Sequence, residues 1–220
     1  MTAWEGVSAL AAEMGVSFKY KDESWMMKAL GVILFFNKRF LSTYTTTLGS
    51  TIYFPNRAWV RDCPDDVALV VAHELTHVQD SRDQGQLAFA YSYLCPQVFA
   101  LLSLLALLAP VLGWQMLLAV FNLAWLLPCI GSVGRSHIEF RGYATTMACL
   151  VWGGNALPSP PQWIMDQFTS SSYFWMDHDA GHVEGCLRGF LNRIAIGTID
   201  DDLPLAPRLR KIFREAKPWA

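Results

Sequence analysis

Residues 84–134 contain no Asp, Glu, Lys, Arg or His, and across the 220-residue chain only 16% of residues are charged against 53% hydrophobic. A charge-free stretch of that length excludes an ordinary solvated surface and reads as a buried or membrane segment. The chain also lacks a surplus of either charge. Its 17 Lys and Arg against 19 Asp and Glu leave a net charge of −2, which argues against nucleic acid as a partner. Cysteine is sparse: Cys63, Cys95, Cys129, Cys149 and Cys186 form no CxxC pair and read as reduced packing residues rather than disulfides or zinc ligands. The N-terminus, Met1-Thr2-Ala3-Trp4-Glu5, has no basic segment followed by an apolar run, so no signal peptide is expected.

What is present is an HExxH motif, His73-Glu74-Leu75-Thr76-His77, inside a helical pattern. Pro64 followed by Asp65 and Asp66 starts that helix, with a rigid first-turn residue and carboxylates at the positive end of its dipole. Val67, Val70, Val71, Glu74, His77 and Val78 recur at spacings of three and four, so the histidines share the face that is to be buried. One turn apart on that face, His73 and His77 can reach one Zn²⁺ while Glu74 stands beside a water bound to it. Imidazoles among valines need partners, which counts against two histidines idle on a solvated helix.

Within the charge-free stretch, Leu94 to Ala109 and Trp114 to Ile130 are apolar runs separated by Pro110-Val111-Leu112-Gly113. As helices each rises roughly 25 Å, against about 30 Å for a hydrocarbon core, and a membrane hairpin is the expectation. A hairpin buried in an oligomer is the competing one. Lys38, Arg39, Arg57, Arg61 and Arg82 precede the runs and Arg135 and Arg141 follow them, which by the positive-inside rule places the flanks, and the catalytic side, in the cytoplasm. Membrane lipid joins a polypeptide substrate as an expected partner, with a homo-oligomer or larger assembly also considered. Upstream, Phe40 to Thr47 and Thr51 to Phe54 flank Leu48-Gly49-Ser50 and predict a β-hairpin, whose edge could bind an extended substrate.

A catalytic zinc takes a third protein ligand and keeps one position open. Glu139, in Ser136-His137-Ile138-Glu139-Phe140-Arg141-Gly142-Tyr143, is the candidate, since a hairpin returns the chain to the side it left. His137 competes as a ligand, and an ion pair with Arg141 competes as a role for Glu139. At this point the order of elements over residues 65–150 resembles the membrane-embedded gluzincins of the HtpX and CAAX prenyl endopeptidase type. That group carries HExxH on one helix, a membrane hairpin after it, and a glutamate ligand in an ExxAD-like motif on the next helix. His73, Glu74, His77 and Glu139 match, whereas Gly142 and Tyr143 stand where the family has Ala and Asp.

The resemblance implies a membrane-associated zinc metalloendopeptidase, in which zinc on His73, His77 and Glu139 activates a water and Glu74 is the general base. Arg141, Tyr143 and His182 are candidates for stabilising the oxyanion, and Asp80 either accepts the second ring N–H of a ligand histidine or takes an exposed or helix-terminal role. A second pair, His178 and His182, lies in a turn-rich segment read as an active-site loop or a polar surface turn. Pro207 to Trp219 is a basic amphipathic tail, fit either for an anionic surface or for packing on the domain.

The fold class that follows is α+β: a mostly helical, zincin-like core with a small β-hairpin before the HExxH helix and an inserted apolar helical hairpin. In sequence it divides into residues 1–83 with the HExxH helix, 84–134 with the hairpin, and 135–220 with the third-ligand helix and basic tail. The alternative from another class is a zinc-bearing structural or assembly protein, of a virion or secretion machine, whose apolar hairpin makes membrane or oligomer contacts.

Overall fold

Residues 1–33, 39–95, 113, 132–170 and 176–216 are described by a computed structural model of the chain. The first helix, α1 (Ala3–Glu13), opens on a capping box, with the Thr2 hydroxyl accepting from the Glu5 amide and the Glu5 carboxylate accepting from the Thr2 amide. Its buried face, Ala3, Val7, Leu10 and Ala11, follows the helical period. After it come β1 (Ser17–Tyr20), α2 (Trp25–Ile33), β2 (Thr46–Leu48), β3 (Thr51–Phe54) and the short α3 (Arg57–Asp62).

The predicted hairpin is there as β2 and β3, antiparallel with Thr47 opposite Ile52, and residues 40–45 before it are not strand. The hairpin is also part of something larger. β1 pairs parallel to β3, giving a three-stranded sheet in the order β1-β3-β2 with β2 at one edge. Its inner face is aromatic: Phe54 is surrounded by Trp4, Phe18, Tyr20 and Trp59 at ring-centroid distances of 5.3–6.3 Å. Burying one such ring contributes about 1.5–3 kcal/mol.

The HExxH helix, α4 (Pro64–Gln84), starts at Pro64 as the sequence suggests and stops before Gly85, whose φ of 87° few other residues would adopt. α5 (Gln86–Leu94) follows at once and packs on α4. Beyond residue 131, α6 (Val133–Trp152) is capped by the Ser132 hydroxyl and buried around most of its circumference, as expected of a central helix. It packs against α4, α5, α8 (Ala180–Ile196) and α9 (Ala206–Glu215), while α7 (Gln162–Thr169) lies against α8.

The architecture is therefore α+β, mostly helical with one small sheet. Of the basic tail segment, residues 207–215 lie in α9, where the apolar Leu209 and Phe213 pack inward while Arg208 and Arg210 pair with Glu13 and Asp200.

The expectation of a membrane protein with a cytoplasmic catalytic side is corrected. Among the described residues no helix is long and apolar enough to cross a membrane. The long helices α4 and α6 carry charges at Asp65, Asp66, Glu74 and Asp80 and at Arg135, Glu139 and Arg141, and α5 rises only about 14 Å. The runs expected to form the apolar hairpin lie, beyond Leu94 and Cys95, outside the described residues.

Candidate metal centre

Two helices and the end of a third supply the centre. α4 and α6 are tied by the Thr76 and Thr145 hydroxyls, 2.8 Å apart, and by Arg141, which donates from Nε and Nη2 to the Asp80 carboxylate at 2.9–3.1 Å. Asp80 is only 3% exposed, so a fork of charge-assisted bonds to it fixes helix register as well as neutralising the charge. A ligand histidine is one of the partners the sequence allows it. The guanidinium takes that place, and His77 Nδ1 is left buried with no hydrogen-bond partner among the described residues. The same pairing removes the competing Glu139–Arg141 ion pair and commits Arg141 away from an oxyanion.

With the helices so fixed, His73 Nε2 and His77 Nε2 are 2.9 Å apart, and Glu139 Oε2 lies 3.3 Å from the first and 3.7 Å from the second. Among the described residues these three side chains are the group of ligand atoms close enough to hold one metal ion. Their separations bracket the edge of about 3.3–3.4 Å that a tetrahedron with bonds of about 2.0–2.1 Å requires. The donor set, two imidazole nitrogens and one carboxylate oxygen, fits a divalent transition metal with a position to spare.

Neighbouring groups hold the ligand atoms in this pose. The Thr146 hydroxyl stands 3.4 Å from His73 Nδ1 and bonds the Gly142 carbonyl at 3.3 Å, which suits a ring protonated at Nδ1 with Nε2 free. Gly142 permits the close approach of α6: a Cβ there would stand 2.6 Å from His73 Cε1 and Nε2. Tyr143 packs edge-on against the His73 ring at 4.7 Å. Tyr93, from α5, donates its hydroxyl to Glu139 Oε1 at 2.6 Å, which leaves Oε2 to face the histidines. Burial, followed by the Glu139 charge, pushes the Tyr93 phenol well above its ordinary range, so it remains a donor at any physiological pH.

Replacing Tyr93 by Phe removes that donor without emptying the space. Metal affinity is expected to fall about 10–100-fold, the usual cost of losing such an outer hydrogen bond, as measured by competition with a chromogenic chelator.

Electrostatics in the metal-free centre are those of a buried pair. Burial by itself would raise the Glu139 carboxyl, but hydrogen bonds from His73 and His77 outweigh it and hold the group well below the usual carboxylate range. Burial would likewise lower His77, and the Glu139 bond and charge, with Glu74 and Asp80 behind them, turn the shift upward. Both shifts favour the charged forms of the Glu139–His77 pair.

Glu74 is not part of this group. Its Oε2 accepts a 2.6 Å bond from the Thr47 hydroxyl, so the carboxylate of the motif helix is held by the edge strand β2. The remaining sequence candidates lie elsewhere. His137 is exposed on α6. His182 bonds Asp177 at 2.7 Å and Cys186 Sγ at 3.4 Å and rests against Phe140, apart from the ligand group. Asp179 caps α8 through the Gly181 and His182 amides, so His178 precedes that helix and the pair shares no helical face.

The sequence reading missed Tyr93, Thr47, Thr146 and the need for Gly142. None of them carried a signal that set it apart from its neighbours, since Tyr91 and Ser92 beside Tyr93 bear hydroxyls as well. No protein-family model, no curated protein and no solved structure matches this chain.

Proposed function

We propose that the chain is a zinc-dependent metallopeptidase of the HExxH, glutamate-ligand kind, with His73, His77 and Glu139 as the zinc ligands and Glu74 as the general base. The observation that carries the reading is the division of labour on one helix. The imidazoles of His73 and His77 converge with Glu139, while the intervening Glu74 is kept out of the ligand group by its bond from Thr47.

Zinc held there would supply a water acidified towards a pKa of about 7 and would polarise a carbonyl. Glu74 accepts the proton of the attacking water and passes it to the leaving amine. Tyr93 and Thr146 keep the ligand atoms aimed. β2 is an edge strand, so an extended polypeptide that pairs with it lies alongside Thr47 and hence Glu74, which favours a polypeptide as substrate.

The test is metal content and proteolysis together. Purified chain is expected to hold about one zinc and to cleave an unfolded substrate such as casein. Chelation should end the cleavage and added zinc restore it. A folded chain that holds no zinc under metal-replete conditions would sink the reading.

A further inference from the structure

We infer that Lys21 is a positioning residue for the general-base carboxylate: its buried ammonium pins the chain at Phe40, so that the strand that follows presents Thr47 to Glu74. This rests on the metallopeptidase reading of the site. Lys21 follows β1, and its amide bonds the Phe54 carbonyl at 2.8 Å. The residue is 0% exposed. Nζ donates to the Phe40 carbonyl at 2.7 Å and lies 4.1 Å from the centroid of the Phe40 ring, and Phe40 in turn belongs to a small apolar cluster with Met27 and Tyr53.

That cluster covers the outer face of the sheet. Ile52 and Phe54 point into the main core, and Tyr53 points the other way, to Met27 and Phe40. Thr46 stands opposite Tyr53 and Thr47 opposite Ile52, which puts the Thr47 side chain on the inner face, where it reaches α4. Residues 39–48 therefore wrap around the sheet edge, from Phe40 on one face to Thr47 on the other. Little slack separates the two ends, because the amides of Thr43 and Tyr44 both bond the Arg39 carbonyl. Fixing Phe40 sets the height at which Thr47 meets Glu74.

A buried ammonium is a costly fastener, and a methionine would fill the same space at lower cost. What lysine adds is a directed bond to one carbonyl and a positive charge. Burial pushes that ammonium down to about 8, and the Glu74 charge opposes the shift, so the two groups sense each other through the interior.

The test compares Lys21→Met and Thr47→Val, singly and together, on zinc-loaded protein cleaving casein. Lys21→Met is expected to lower kcat about 10–100-fold, the scale of an ångström-level misplacement, with KM and zinc content within twofold of wild type. In the Thr47→Val background the same change should cost no more than about a further twofold, since the relay is already cut. A kcat for Lys21→Met within twofold of wild type, or full multiplication of the two effects, would overturn the inference. Should Lys21→Met not fold, Thr47→Val must show the kcat loss alone, and a wild-type kcat there overturns the relay.

Hydrogen exchange of peptides spanning residues 39–48 decides the pin independently of activity. Exchange about tenfold faster in Lys21→Met, with α4 unchanged, is the expected result, and unchanged exchange overturns it. If wild type binds zinc but cleaves nothing, the peptidase reading fails while this measurement still judges Lys21.

Discussion

Replacing Glu74 by Gln is expected to cut proteolysis by roughly 10²–10⁴-fold, the contribution typical of a positioned general base, while leaving zinc content and thermal stability near wild type. The asymmetry follows from the geometry. Glu74 lies outside the three-residue ligand group, so zinc does not depend on it. The carboxamide oxygen of Gln can still accept from Thr47 at the place where Glu74 Oε2 does, so the edge strand keeps its contact with α4. What is lost is the capacity to take a proton. Unchanged function in that variant, with zinc retained, would favour the alternative of a zinc-bearing structural or assembly protein.

Glu139→Gln is expected to do the reverse: zinc affinity falls by more than about 100-fold, beyond the 10–100-fold that an outer hydrogen bond costs, and activity falls with it. Chelator competition on the purified variant reads the first effect. The metal-free protein should show a second one in its pH dependence. Glu139 has a depressed folded-state pKa, so its contribution to stability is present above the unfolded carboxyl value of about 4.3 and disappears as pH falls through the folded one. His77 has a raised pKa, so its contribution is present below about 6.5 and is lost as pH rises through the folded value. Chelated wild type is thus expected to gain most from the pair between roughly pH 4.3 and 6.5. The variant, which keeps only a neutral amide there, should show a flatter curve in urea unfolding across pH. An identical profile in the two proteins would mean that the buried pair does not form.

Legibility of the centre in the sequence followed how local each signal was. The turn-apart spacing of His73 and His77 and the acid-rich start at Pro64 are properties of a single helix, and both are found in α4. Glu139 could be placed because few acidic residues follow the charge-free stretch closely, and it lies on α6 facing the histidines. The β2–β3 hairpin carried its own turn at Gly49, whose φ is 58°. β1 was missed, because four residues give too short a pattern and a parallel partner announces itself by no turn.

The sequence by itself determined which residues could bind a metal and which carboxylate stood beside them, since helical periodicity converts spacing in the chain into direction in space. Only the tertiary structure decided how those groups are held. Thr47 meets Glu74 across 27 positions, Tyr93 meets Glu139 across 46, and Asp80 meets Arg141 across 61. None of these bonds follows from a motif, because each depends on how separate elements pack and on which buried donor lies within about 3 Å of which acceptor. The same reason sent Arg141 to Asp80 instead of Glu139. Once water is excluded, a buried charge takes the nearest partner that satisfies it, and nearness is a property of the fold.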